Sequence, residues 1–279
     1  MITVGKMKDV TSPSNPLVKG IKALSLKKNR DREGVFLAEG QKLVADALES
    51  GWDVKTLVYA KSLLDDEHQR PRIENLAATV RARGGDILTV NEKILSSITR
   101  RDNPQMVVAV IGQRTRQAEE IAPEANHVWI ALDRVRDPGN LGTIIRTADA
   151  LGAKGIILVG ETTDPFGLEA VRATMGSLFH VPLIQASVPQ FQSLAMRWRD
   201  VHNGQVVGTH LKGAVDHRSI DYSCGPQLLL MGNEQQGLGD DLVRCCDQLA
   251  LIAMSGSADS LNLAVATGIM VFEARRHAL

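Results

Sequence analysis

Apolar positions along this chain follow two alternating periods. Continuous apolar runs at 35–38, 54–60, 87–90 and 106–111 predict short buried strands. Stretches with a helical repeat separate them. Residues 15–28 carry Leu17, Ile21, Leu24 and Leu26 among bases, and 41–49 place Leu43, Val44, Ala47 and Leu48 on one side before Gly51 ends the turn. Residues 73–83 and 92–98 complete the series. The alternation predicts a small α/β domain over residues 1–113.

Residues 114–126 are polar, include Pro123 and show no periodic apolar face, so they read as a linker. Apolar runs resume at 128–132, 155–159, 181–184, 206–209, 227–231 and 249–254. Helical patterns at 143–151, 168–176, 190–201, 240–246 and 260–276 fall between or after them. Strands apolar throughout, separated by helices, predict a mostly parallel sheet covered on both faces. A second domain over 127–279 is expected. No repeat or low-complexity tract interrupts it.

Composition adds less than distribution. The 279 residues carry a formal net charge of +0, so bulk charge announces no polyanion partner. Residues 1–113 hold 18 basic against 14 acidic side chains, a net of +4, and the remainder holds 14 against 18, a net of −4. Lys19, Lys22, Lys27, Lys28, Arg30 and Arg32 surround the single acid Asp31. Such an arm is either a nucleic-acid footprint or a solvated helix face. The cysteines, at 224, 245 and 246, make no C-x-x-C and no disulfide framework, which fits a reducing compartment. No apolar run approaches the roughly 18 residues of a membrane span, and the first residues lack a signal core. A soluble, cytoplasmic protein without a membrane partner is expected.

Three segments carry candidate chemistry. In Leu132 to Arg146, LDRVRDPGNLGTIIR, a strand ends, a Gly- and Pro-containing loop follows, and a helix starts. Helix-start amides suit an anion, Asn140 offers a donor and an acceptor, and Arg146 lies about one turn into the helix. A plain strand–helix turn would also explain the glycines. In the second, GNEQQGLG, Gly232 permits close backbone approach and Glu234 follows a buried strand directly. A carboxylate that only caps a helix or pairs with an arginine fits as well. The third, SGSADSLN, offers Asp259 or Ser260 as the N-cap of a long helix, and capping alone would account for it. All three segments end or follow strands of one sheet, where open α/β sheets bind ligands.

Standard alternatives are missing. There is no G-x-G-x-x-G in the first loop and no phosphate-loop motif G-x-x-x-x-G-K-[ST]. The 7 histidines form no H-E-x-x-H and no metal-ligand spacing, so no metal is expected. A nucleophile elbow, G-x-S-x-G, is also lacking.

Taken together, three ordered segments resemble the SpoU/TrmH class of the SPOUT superfamily, RNA ribose 2′-O-methyltransferases that use S-adenosylmethionine. They are DPGNLGTIIRTADALGAKGIIL at 137–158, LLLMGNEQQGLGDDLVRCCDQLALIAM at 228–254, and DSLNLAVATGIMVFEARR at 259–276. The first 50 or so residues resemble, less specifically, the small substrate-binding domain of that class. Two departures concern the cofactor loop: Gln235 stands where Gly or Arg is frequent, and Ala253 where Pro is usual.

The resemblance implies an α/β fold whose C-terminal SPOUT domain contains a trefoil knot, preceded by the substrate-binding domain, in a homodimer. Periodicity could not have suggested a knot, since knots are nearly absent from folds. It further implies that Arg146, Asn140, Glu234, Ser260 and Asn262 serve catalysis. S-adenosylmethionine would be held by Thr209, Leu230, Gly232, Ile252, Met254 and Leu261. The basic residues Lys19, Lys22, Lys27, Lys28, Arg30 and Arg32 would hold RNA, ribosomal in preference to transfer RNA. Arginine stays protonated at ordinary pH, so Arg146 is either a phosphate and oxyanion anchor or a base of depressed pKa. A non-catalytic RNA-binding or ribosome-assembly protein of the same fold is the rival.

Overall fold

A computed structural model describes residues 4–211 and 214–276. These fall into two compact units, each considered by itself.

The first unit runs through Gln113. Its elements are β1 (Met7–Val10), α1 (Pro16–Ala23), α2 (Lys27–Glu33), β2 (Val35–Glu39), α3 (Gln41–Glu49), β3 (Val54–Ala60), α4 (Arg70–Ala82), β4 (Asp86–Val90), α5 (Glu92–Thr99) and β5 (Val107–Gly112). They build a five-stranded sheet in the order β1-β4-β3-β5-β2, with β1, β4 and β3 parallel and β5 antiparallel to both its neighbours. Val18, Leu37, Val58, Leu88, Ile94 and Val108 are among the side chains packed into its core.

The helix expected over 15–28 is two helices. The α1 segment ends at Leu24, and its last carbonyls are taken by side chains of α2: Asn29 Nδ2 donates to Ala23 O at 2.7 Å and Arg30 Nη1 to Leu24 O at 2.7 Å. Strand β1 was not anticipated, because it is a mostly exposed edge strand whose Lys8 and Asp9 hide any apolar period.

The second unit contains β6 (Val128–Asp133), α6 (Pro138–Ala150), β7 (Ile156–Val159), β8 (Leu183–Ala186), α8 (Val188–Asp200), β9 (Gln205–Thr209), β10 (Val215–Asp216), β11 (Gln227–Met231), α9 (Asp240–Val243), β12 (Gln248–Leu251) and α10 (Leu263–Arg275). Seven strands, all paired parallel, run in the order β10-β12-β9-β11-β6-β7-β8. Strand β6 is buried along its whole length, as a central strand covered on both faces must be. One face packs Phe191, Leu194 and Trp198 of α8 over Ala131, Ile157, Val206 and Leu228. Helices α6 and α10 pack on each other, and α10 also lies against β6 and β11. At the start of β7, a Cβ on Gly155 would stand 2.3 Å from the Trp129 ring, so only glycine leaves room for the indole.

Two segments that bear on the expected domain limits pack onto neighbouring elements. One is the expected linker, residues 114–126. Ala118 and Ile121 join the second unit's core, and Arg116 pairs with Ile184. Residues 166–179, assigned by sequence to the second domain, belong to the first unit. They include α7 (Leu168–Ala173). Phe166 and Phe179 pack on Phe36 with centroids at 5.0 and 6.5 Å. Trp52 Nε1 donates to Phe179 O at 3.0 Å, and Arg172 forms a two-bond ion pair with buried Glu39 at 2.8 and 2.6 Å.

Candidate active site

The order of the parallel sheet creates a switch point. From β6 the chain moves to β7 and β8 on one side, then crosses back to β9, β11 and β12 on the other. Strands β6 and β11 are neighbours, with Leu132 opposite Met231, so their C-terminal ends deliver two loops side by side. A crevice at such a reversal is where open α/β sheets bind ligands.

One loop leads into α6. Asp137 is its N-cap and accepts from Asn140 N at 2.6 Å, with Pro138 preset for the first turn. The cap of α10 is Asn262, two residues beyond Ser260 and three beyond Asp259, the caps the sequence suggested. Its Oδ1 accepts from Ala264 N at 2.9 Å and Val265 N at 3.3 Å. Capping uses the amide oxygen of Asn262, so its Nδ2 faces outward and donates to Asn140 Oδ1 at 2.9 Å. That fixes the Asn140 amide in turn, and its Nδ2 donates to Glu234 Oε1 at 3.1 Å. The polarity of one helix cap thus orients two amides and a carboxylate drawn from all three segments. Glu234 is exposed, and its Oε2 has no hydrogen-bond partner among the described residues.

Arg146 and Ser260 lie outside this chain of bonds. Both side chains are exposed and form no hydrogen bond or ion pair among the described residues. A cleft of about 710 Å³ opens beside the amide pair, lined by Asn140, Thr143 and Thr147 and by Asn262, Val265 and Phe272.

The residues expected to hold the cofactor lie in or after three neighbouring strands, β12, β9 and β11. Thr209 Oγ1 joins two of them, donating to Leu230 O at 3.5 Å and accepting from Gly232 N at 3.4 Å. A Cβ on Gly232 would lie 2.7 Å from Gly237 C and Leu238 N, so this rim admits only glycine. Ile252 is half-buried, while Met254 and Leu261 are exposed at 38% and 37%. The rim is therefore edged by apolar side chains, with Leu230 O and Gly232 N both engaged by the Thr209 hydroxyl.

Sequence reasoning missed a further group. Asp133, 1% exposed, receives both Nε and Nη2 of Arg134 at 2.8 Å each. That bonding holds the guanidinium pKa above its ordinary value. Arg134 Nη1 donates to Gln236 Oε1 at 3.2 Å, and Asn233 Nδ2 donates to Arg134 O at 2.9 Å. The signal was present as an acid–base pair closing a buried strand.

In the first unit the basic arm is less uniform than its sequence. Lys19 and Lys28 are exposed and Lys22 is half-buried, none with an ion pair among the described residues. Lys27 pairs with Asp31 at 2.9 Å and Arg32 with Glu33 at 2.8 Å. Arg30, expected to face RNA, is instead 5% exposed and turned inward onto Leu24 O. Its guanidinium satisfies a helix end rather than a phosphate.

Residues 127–272 match the SpoU rRNA Methylase family, and residues 15–109 match the MRM3-like substrate binding domain. The chain is 34% identical to the 23S rRNA (guanosine(2553)-2′-O)-methyltransferase RlmP of Bacillus subtilis, covering 96% of this chain and 100% of that one. It is 33% identical to the 23S rRNA (uridine(2479)-2′-O)-methyltransferase of Streptomyces viridochromogenes, over 91% of this chain and 86% of the other. The crystal structure of an AdoMet-bound rRNA methyltransferase from Sinorhizobium meliloti superposes with a TM-score of 0.91 at 57% identity, covering 98% of this chain and 99% of that one.

Proposed function

The chain belongs to the SpoU rRNA methylase family, and from that premise we propose that the switch-point site moves a methyl group from S-adenosylmethionine to a ribose 2′-hydroxyl of ribosomal RNA. The observation that carries this reading is the hydrogen-bonded series Asn262–Asn140–Glu234, which joins the three segments at the end of the parallel strands.

The rim suits the methyl donor. Thr209, Leu230 and Gly232 form a neutral rim whose weak internal hydrogen bonds, at 3.4 and 3.5 Å, can be exchanged for bonds to a neutral heterocycle, and Ile252, Met254 and Leu261 supply apolar edges. When bound, S-adenosylmethionine supplies a methyl already activated by positive sulfur, so the protein must mainly position reactants and manage one proton. Arg146 holds the target phosphate and lowers the cost of charge on the 2′-oxygen. A guanidinium is too weak an acid to serve as base. Glu234, with Oε1 held by Asn140, keeps Oε2 for the departing proton. Ser260 is exposed, with its hydroxyl available to the reactants.

The first unit holds structured RNA through phosphates, and of the basic arm Lys19, Lys22 and Lys28 form no ion pair among the described residues. Val265 and Phe272, 52% and 56% exposed on α10 beside the cleft, support a homodimer across that face. The C-terminal knot and a cytoplasmic location complete the reading. No helix among the described residues is long and apolar enough to cross a membrane.

Labelled S-adenosylmethionine incubated with unmodified 23S ribosomal RNA and, separately, transfer RNA tests the substrate. Label on ribosomal RNA alone is expected. Label on transfer RNA alone would redirect the reading, and none on either would favour a non-catalytic assembly role.

A further inference from the structure

Arg134 sits in the left-handed region at φ 48°, a conformation unfavourable for a non-glycine residue. That bend turns both its carbonyl and its side chain toward the loop after β11. The carbonyl accepts from Asn233 Nδ2 at 2.9 Å, and Nη1 reaches Gln236 Oε1 at 3.2 Å. Between these two anchors lie Glu234 and Gln235. The loop is closed on itself by Asn233 N to Gly237 O at 3.2 Å and Gly237 N to Asn233 O at 2.9 Å.

The guanidinium is fixed from behind. Asp133 is buried at the end of β6 and takes two of its nitrogens. Its stem also passes close to Gly160, where a Cβ would stand 3.3 Å from Arg134 Cγ. A rigid fork held by a buried carboxylate transmits the position of a central strand to whatever its free nitrogen touches. Here that is Gln236, in the loop that also carries Glu234.

We propose that Arg134 is a positioning residue, with Gln236 as its latch, which holds loop 232–239 in the shape that receives the methyl donor and keeps Glu234 against Asn140. This rests on the rim being the donor site, but half of its test does not.

Hydrogen exchange on the cofactor-free protein reads the latch directly. In Gln236→Ala, amides of residues 233–237 should exchange on the order of tenfold faster, as loss of one charge-assisted hydrogen bond implies. Gln236→Glu, which keeps an acceptor for Arg134, should restore the slow rate. Gln235→Ala, whose side chain makes no hydrogen bond among the described residues, should match the parent. Arg134→Lys keeps a charge beside Asp133 but loses the fork, and should behave as Gln236→Ala. Calorimetric affinity for S-adenosylmethionine should follow the same order, again by about tenfold, with unchanged melting of the Gln236 variants. Parent-like exchange or affinity in Gln236→Ala, or equal losses in Gln235→Ala, would overturn the proposal. If exchange changes as expected but the parent binds no S-adenosylmethionine, the donor-site reading fails and the latch stands.

Discussion

Asn262 donates to Asn140 at 2.9 Å across 122 positions of sequence, and a helix cap sets the direction of that bond. The first prediction follows from it. Asn140→Ala removes both the acceptor for Asn262 and the donor that holds Glu234, so turnover should fall on the order of 100-fold while melting changes little. Asn140→Asp should be no better, because its carboxylate would face Glu234. Steady-state kinetics with thermal melting in parallel check both.

Gly232→Val should abolish cofactor affinity without disturbing the first unit. Any Cβ there meets the backbone of Gly237 and Leu238 at 2.7 Å, so the rim must open to admit it. Titration calorimetry with S-adenosylmethionine measures this, and unchanged affinity would refute the steric argument.

Arg146→Ala should lose methyl transfer while retaining fold and cofactor affinity. Its side chain is exposed and makes no protein bond among the described residues, so nothing structural depends on it. Removing one preorganised charge from a transition state costs on the order of 100-fold or more. Near-normal turnover would remove Arg146 from the chemistry.

Arg172→Ala should destabilise the first unit by about 3–5 kcal/mol, since it strands the Glu39 carboxylate, 2% exposed at its side chain, without its partner. Denaturant unfolding checks the figure. Arg172→Met with Glu39→Leu should recover most of it, because the desolvation cost disappears with the charges.

Burial pushes the Cys246 thiol up to about 12 and raises that of Cys245, whereas Cys224 is exposed. A thiol pKa raised on folding favours the neutral form. Its contribution to stability is therefore present below the unfolded value near 9 and is lost as pH climbs from there toward 12. At pH 8 a thiol reagent should label Cys224 promptly and the adjacent pair only on unfolding, as read by mass spectrometry.

Six of the seven parallel strands of the second unit were legible because each contains an apolar run, whereas the two-residue β10 left no such mark, and the meeting of the three polar segments was legible because each follows such a strand. What stayed hidden depends on partners far away in sequence. Composition reports that Arg30 is charged, but not that the end of α1 needs a donor at Leu24 O. The amphipathic stretch at 166–179 shows an apolar face without showing that Phe36 and Trp52 will cover it. In SGSADSLN several residues can cap a helix. Asn262 does so because the buried face of α10 begins at Leu263 and Ala264. The Asp133–Arg134 pair was visible as letters, yet its reach to Gln236 required the left-handed turn at Arg134.

The central claim is that the site methylates a ribose oxygen. Unmodified 23S ribosomal RNA should be reacted with labelled S-adenosylmethionine, hydrolysed in alkali and resolved by chromatography. Label in an alkali-resistant dinucleotide, absent with Arg146→Ala, is the predicted result. Label on a base, with every phosphodiester still cleaved, would contradict the account.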